Sequence, residues 1–396
     1  MSVVLEQKIQ HPRSKLLQPA SEGSRPNPFQ SIVQNIFYAA DVEVNGTRPW
    51  DIQVHDSRFY RRVFSSGSLG LGESYMDGWW DCRALDEFFF RILRTSQRGD
   101  FPYRLFHLFS ELRGRLINLQ AGSRAFQVGR AHYDVGDDLY KRMLDKRMVY
   151  SCGYWRHADN LDAAQEAKLD LVCRKLGLAP GMTVLDIGCG WGSFLQYAAE
   201  RYQVRGYGVT VSRNQYIRAK DLCRTLPVEI RYQDYRELKG QFDRIVSIGM
   251  FEHVGHKNYP EYMRVARRCL KNGGLFLLHT IAGNRSQFGC DPWIDKYIFP
   301  NAQLPSMKQI SSAVEGLFFM EDCHNLSVDY DRTLMSWRNN FEAAWPKLAS
   351  TYSRRFYRMW RYYLLSCAAA FRSRNEQVWQ IVLSASGVLG GYRSSR

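Results

Sequence analysis

The chain has 396 residues, with 54 lysines and arginines against 39 aspartates and glutamates, for a net charge of +15. Hydrophobic residues at 45% and aromatics at 14% exclude extensive disorder over most of the length and supply one large domain plus a small one. No run approaches ~18 consecutive apolar residues and the start lacks the apolar centre of a secretory signal, so a cytosolic protein, neither exported nor membrane-spanning, is expected.

In chain order, residues 1–30 are rich in Pro, Ser and charge without any period and read as a flexible tail. A small α+β unit is expected over 31–115. It holds an apolar helix at SIVQNIFYAA, a turn at Asn45-Gly46, the alternating strand WDIQVHD in a hairpin-like segment, and GSLGLGESYMDGWW. Residues 91–130 carry eight arginines against Asp100 and Glu111. Within them Leu105, Leu108, Phe109, Leu112, Leu116 and Leu119 recur at helical spacing, the pattern of a basic amphipathic helix. Residues 116–130 read as a linker, and a larger domain fills 131–396.

From 182 strands and helices alternate. MTVLDIG, VRGYGV, VEIRY, FDRIVSI and GLFLLHT are strands, with helices through Ser193–Glu200, from about Ser212 to Thr225, and near 258–270. This is the pattern of an α/β, doubly wound sheet that binds its ligand at the carboxyl ends of the strands. Residues 332–374 then repeat the basic theme, with nine lysines and arginines against Glu342 and aromatics interleaved among the arginines. Arginine beside Trp and Tyr suits an anionic bilayer surface; core-facing aromatics with a solvated basic face are the alternative for each such helix.

The turn after the first strand of the sheet reads Asp186-Ile187-Gly188-Cys189-Gly190-Trp191-Gly192. It is neither GxGxxG nor followed by Lys-Ser/Thr, as a dinucleotide or P-loop site would require. S-adenosylmethionine fits better, because it is cationic and lacks phosphates, so it needs close backbone approach and carboxylates such as Asp186 and Asp234. Nine cysteines with no CxxC pair argue for free thiols and give no metal site.

Taken together, VLDIGCGWG, GVTVS, YQDYR, IGMFEHVG, HTI, DPWIDKYIFPN, GSLGLGESYMDGWW and YSCGYW resemble the cyclopropane-fatty-acyl-phospholipid synthases of the S-adenosylmethionine-dependent cyclopropane and mycolic acid synthase family, in order from about residue 38 to 380. Mycolic-acid relatives resemble the larger domain alone, so GSLGLGESYMDGWW favours the phospholipid branch. The resemblance implies a Rossmann-like class I methyltransferase domain behind the smaller one, acting as a homodimer on unsaturated acyl chains of membrane phospholipids, with no nucleic-acid partner. It implies cofactor contacts at Tyr150, Ser151, Gly188, Gly190, Gly192, Thr210, Gln215, Gln233 and Asp234, besides Asp186. It assigns Cys152, Glu252, His279 and Tyr330, with backbone at Ile281, to a bicarbonate ion that acts as base. His132, Tyr133 and Asp134 resemble an element preceding a cofactor lid, and Cys367, in an apolar run, reads as packing. Two other readings are a related methyltransferase that leaves a branched methyl or methylates a soluble amine, and a catalytically silent membrane-binding protein.

Overall fold

Helix α1 (Pro28–Ala39) buries Val33 and Phe37, four residues apart on one face, and begins the part of the chain that the computed structural model describes, residues 28–97 and 136–396. Strand β1 (Ile52–Val54), helix α2 (Arg58–Met76), strand β2 (Trp80–Cys82) and helix α3 (Leu85–Gln97) complete the N-terminal unit. Its centre is aromatic: Trp80 lies 5.4 Å from Phe88 and 6.1 Å from Phe59, and Phe37 lies 5.6 Å from Phe88, between ring centroids.

The hairpin expected around Asn45-Gly46 is replaced by a different pairing. The turn forms, with Asn45 at φ +60°, but β1 has only three residues and its antiparallel partner is β2, beyond α2. The reason lies in Asp51. Its buried carboxylate accepts the N–H groups of Glu43 (2.8 Å) and Arg48 (2.9 Å), so side-chain bonds close the loop where a hairpin ladder would have run. The GSLGLGESYM stretch is helical, within α2, with a kink at Gly67 (φ +55°).

Helices α4 (Asp137–Met143) and α5 (Leu161–Lys175) lead into the sheet. Then follow β3 (Thr183–Ile187), α6 (Ser193–Tyr202), β4 (Arg205–Thr210), α7 (Arg213–Leu222), β5 (Val228–Tyr232), β6 (Phe242–Ile248), α8 (Tyr259–Cys269) and β7 (Leu270–Gly283). The chain ends with α9 (Pro292–Tyr297), α10 (Met307–Val314), β8 (Phe319–Asn325), α11 (Ser327–Leu348), α12 (Arg354–Arg372) and β9 (Glu376–Ser384). The seven-stranded sheet has the order β5-β4-β3-β6-β7-β9-β8. The first five strands are parallel, as the sequence pattern implies, and β9 runs antiparallel to both β7 and β8. Strand order reverses between β3 and β6, which opens a crevice at their carboxyl ends.

The basic segment from 332 to 374 forms most of α11 and α12, and its arginines are engaged within the chain. Arg358 is buried and donates to Asp81 and the Trp80 carbonyl, both at 2.7 Å, and to the Tyr75 carbonyl. Arg355 pairs with Asp77 (2.9 Å), Arg361 reaches the Tyr75 hydroxyl (2.7 Å), and Arg372 pairs with Asp86 (2.8 Å) and Asp331 (2.9 Å). These arginines dock α12 onto the N-terminal unit. One apolar cluster accordingly runs from Phe37, Phe59 and Trp80 to Trp337, Trp360 and Phe371. Residues 98–130 of the first basic segment, the linker at 116–130, and His132, Tyr133 and Asp134 lie outside the described residues.

Candidate active site

The crevice between β3 and β6 is a cavity, and its floor is the glycine turn. Gly188 (φ +87°) and Gly190 (φ +55°) hold left-handed conformations that β-carbons disfavour. A Cβ at Gly188 would lie 2.4 Å from Met250, whereas at Gly190 it would meet open space, so here the backbone itself faces the cavity. All the sequence-predicted cofactor residues except Gly192 line it: Tyr150, Ser151, Asp186, Gly188, Gly190, Thr210, Gln215, Gln233 and Asp234. Gly192 (φ +88°) sits behind the turn at the start of α6, where a Cβ would lie 3.1 Å from that of Ala219; it serves packing against α7.

Local bonds hold these side chains in place. Thr210, ending β4, donates to Gln215 Oε1 (2.9 Å), and the Ser212 hydroxyl caps α7 by accepting from the Gln215 N–H (3.4 Å). Asp234, just past β5, accepts from the N–H (2.9 Å) and Nη1 (2.8 Å) of Arg236. Gln233 donates to the Glu237 carbonyl (3.0 Å), and the Tyr150 and Tyr363 hydroxyls meet at 2.8 Å.

Asp186 differs from Asp234. It is buried and its Oδ1 has no hydrogen-bond partner among the described residues. Burial pushes its carboxyl up to about 7, against the pull of the Lys168 charge. Lys168 itself escaped the sequence reading. It lies on the buried face of α5 with Leu161, Ala164, Leu171 and Val172, lines the cavity, and donates to the Ser151 hydroxyl (3.0 Å). Burial lowers its ammonium to about 8, opposed by Asp145, Cys152 and Asp186. The available signal was a pair of lysines, 168 and 175, seven residues apart on an otherwise uncharged stripe.

The residues assigned to the proton acceptor lie beyond the cavity lining. Glu252 stands on a single helical turn after β6, and His279 lies on β7 opposite Ile248. Glu252 Oε1 accepts the Ile281 N–H at 2.6 Å, so that amide is already used; Oε2 is buried and unpartnered among the described residues. Burial raises the Glu252 carboxyl to about 7, with the Ile281 bond opposing. His279 Nδ1 lies 3.2 Å from the Gln380 side-chain amide across the β7–β9 ladder, which leaves Nε2 as the ring nitrogen turned away from Gln380. Burial, with the nearby Lys168 and Lys175 charges, holds this imidazole well below its ordinary range and keeps it neutral. Gln380 is a second residue that the sequence reading missed.

Tyr330, on α11, packs edge-on to Trp337 (5.9 Å) and against Phe371 (4.6 Å). Its phenol is pushed well up, chiefly by burial. The Cys152 thiol points to the Gly153 (3.2 Å) and Leu326 (3.6 Å) carbonyls. Cys367 packs against the apolar core and burial holds its thiol neutral. His253 does line the cavity; burial lowers it to about 4, and it is neutral near pH 7.

Residues 120–381 match the family model described as mycolic acid cyclopropane synthetase. The chain is 52% identical over 365 residues to the cyclopropane-fatty-acyl-phospholipid synthase of Escherichia coli (strain K12), covering 92% of this chain and 95% of that protein. It is 35% identical over 273 residues to cyclopropane mycolic acid synthase 3 of Mycobacterium tuberculosis (strain ATCC 25618 / H37Rv), covering 64% of this chain and 95% of that one. Among solved structures, the mycolic acid cyclopropane synthase CmaA1 complexed with SAH and CTAB superposes with a TM-score of 0.61 at 34% identity, over 65% of this chain and 97% of that one.

Proposed function

Because the chain belongs to the mycolic acid cyclopropane synthetase family, we infer that it is an S-adenosylmethionine-dependent methyltransferase that turns a cis double bond of a phospholipid acyl chain into a cyclopropane. Full-length similarity to the Escherichia coli phospholipid enzyme, including the N-terminal unit, supports the phospholipid as substrate. Backbone exposed at Gly190, the unpartnered Asp186 carboxylate and the Asp234 cap suit a cationic nucleoside cofactor without phosphates. When bound, S-adenosylmethionine supplies an electrophilic methyl group.

An isolated alkene is a weak nucleophile, and its methylation leaves a carbocation beside the new methyl group. Ring closure then requires loss of one methyl proton. The chain must exclude water, face the cation with aromatic rings, and keep a base at hand that does not trap the cation. Tyr330, with Phe371 and Trp337, supplies the aromatic surface. The observation that carries the base assignment is the buried, unpartnered Oε2 of Glu252.

Glu252, His279 and Tyr330 would hold a bicarbonate ion, which supplies a base of modest strength. Glu252, anchored through Oε1 to Ile281, orients the anion and, with its carboxyl raised to about 7, can donate a proton to that contact. His279 would donate to the anion from Nε2, the nitrogen turned away from Gln380. The Tyr330 hydroxyl makes no hydrogen bond among the described residues and can donate as well. Cys152 contributes through its backbone, its thiol being turned to carbonyls.

The enzyme acts from the cytoplasmic membrane surface as a homodimer; the net charge of +15 and the arginines between 98 and 130 support a preference for anionic lipid. No helix among the described residues is long and apolar enough to cross a membrane. We divide the chain into a tail (1–30), a lipid-associated unit (31–115), a linker (116–130) and the catalytic unit (131–396), with the whole seven-stranded sheet in the last. Mass analysis of acyl chains after reaction on cis-unsaturated phospholipid vesicles tests the activity.

A further inference from the structure

Gln380 stands in an apolar setting that does not account for it. The residue is 0% exposed, in the middle of β9. Its register partners are His279 on β7 and His324 on β8, so three polar side chains form one row across three strands. On the same face Leu277, Ile281, Val378 and Val382 flank that row.

A buried amide on such a face costs stability unless its polar atoms are matched, and here they are only half matched. The side-chain amide nitrogen lies 3.2 Å from His279 Nδ1, whereas Oε1 has no hydrogen-bond partner among the described residues. His324 does not supply one. Its Nδ1 lies 3.1 Å from Lys175 Nζ, and Lys175 also pairs with Asp322 (3.5 Å). The polar contact that the Gln380 side chain makes is thus with a residue of the anion site.

That contact governs what His279 can offer on its other side. A neutral imidazole carries one N–H, and which nitrogen bears it follows the hydrogen bond made by the other. With the Gln380 amide N–H donating to Nδ1, the proton sits on Nε2. The reverse orientation would set the Gln380 oxygen against an Nδ1–H and leave a lone pair at Nε2 facing a negative charge, so an anion beside Glu252, His279 and Tyr330 selects the first. Lys168 and Lys175, both on α5, oppose a second proton on the ring.

We propose that Gln380 is a positioning residue for the reaction: by donating to Nδ1 it holds the His279 ring in place and keeps its single proton on Nε2, toward the anion that serves as base. This rests on the base assignment above and adds to it a residue that acts only through His279.

Two measurements on the full chain test this. Nitrogen NMR of protein carrying isotope-labelled histidine, with the His279 signals identified by their loss in His279→Ala, should show a neutral ring protonated on Nε2 near neutral pH. Gln380→Met, which keeps the length and removes both ends of the amide, should admit the Nδ1-protonated form as well. It should also lower turnover on vesicles roughly 10- to 100-fold, the usual loss when the outer hydrogen-bond partner of a metal-bound histidine is removed, and raise the bicarbonate concentration needed for half-maximal turnover. Cofactor affinity should stay within a few-fold of wild type, because Gln380 does not line that cavity. A wild-type ring protonated on Nδ1, or a Gln380→Met protein with wild-type turnover and an unchanged bicarbonate requirement, overturns the proposal. So does equal weakening of turnover and cofactor binding, the mark of a general disturbance of the sheet. If Gln380→Met does not fold, as judged by circular dichroism, the wild-type ring signature decides. A wild type whose turnover ignores bicarbonate defeats the base assignment instead; Nε2 protonation then still upholds the Gln380–His279 pair, and Nδ1 protonation removes it.

Discussion

Trp293 fills the space that any side chain at Gly72 would need: a Cβ there would lie 2.3 Å from the indole Cδ1. Gly72 belongs to the N-terminal GSLGLGESYM stretch and Trp293 to the DPWIDKY stretch after the sheet's fifth parallel strand, so two motifs far apart in sequence fit as surface and counterpart. Their neighbours complete the joint. Glu73 accepts from Lys296 (2.6 Å) and the Tyr297 hydroxyl (2.8 Å), and the Trp293 indole N–H reaches the Met76 sulfur (3.3 Å).

Gly72→Val forces this contact apart. Overpacking of this kind costs about 1–3 kcal/mol, so the midpoint of urea denaturation should fall. Activity on vesicles should drop, with affinity for S-adenosylmethionine within a few-fold of wild type because the cofactor cavity is lined from other elements. Wild-type stability in Gly72→Val would contradict the close fit.

Cofactor affinity should depend on pH through Asp186. Its carboxyl is raised by burial to about 7, and the cationic cofactor needs the carboxylate. Affinity is therefore full above that value and falls as pH drops through it, by up to roughly tenfold per pH unit. In the ligand-free protein a raised carboxyl favours the protonated folded form, so its contribution to stability is lost as pH rises from about 4 to about 7. Asp186→Asn should therefore melt at a higher temperature than wild type at pH 8 without cofactor, and bind cofactor more weakly. A lower melting temperature at pH 8 would contradict the unpaired-carboxylate account.

Glu252→Gln and His279→Ala should each lower turnover by roughly 10²- to 10⁴-fold, the usual worth of a positioned acid–base or electrostatic group. Cofactor binding should persist, since neither side chain lines the cavity. Wild-type turnover should fall when carbon dioxide is rigorously stripped and recover on addition of bicarbonate. Full activity in stripped buffer would return the base role to Glu252 or His279 itself.

Vesicle binding should need anionic lipid and weaken with salt, because exposed charges are screened beyond about 8 Å at physiological ionic strength. Alanine substitutions at Arg104, Arg113 and Arg115 should reduce it in cosedimentation. Arg358→Ala should instead destabilise the fold, since that guanidinium is buried against Tyr75, Trp80 and Asp81. Equal binding to neutral vesicles at high salt would contradict the electrostatic account.

Local patterns were legible in the sequence where one chain segment carries the whole signal. The apolar run into Asp186 and the glycine turn located the crevice, and the short strands after it fell where they were expected. Long-range partnerships were not legible. The pairing of Ile52–Val54 with Trp80–Cys82 depends on how Asp51 closes its loop, and nothing in WDIQVHD alone states that. The arginines near 358 read as a membrane face because their acidic partners, Asp77, Asp81 and Asp86, lie some two hundred and eighty residues away. Gln380 acquires meaning only once the strand bearing it pairs with the strand of His279. Lys168 was visible as a charge on an otherwise uncharged stripe, yet that it lines the same cavity as Asp186 emerges only in the fold.

The most direct test of the central claim is mass analysis of acyl chains after reaction of the full-length protein with vesicles of a cis-monounsaturated phospholipid and S-adenosylmethionine carrying a trideuterated methyl group. Cyclopropane formation predicts loss of the double bond with gain of one carbon that keeps two of its three deuteriums, the third leaving as the abstracted proton. A saturated branched product that retains all three deuteriums, or cofactor consumption with unchanged acyl chains, would contradict it.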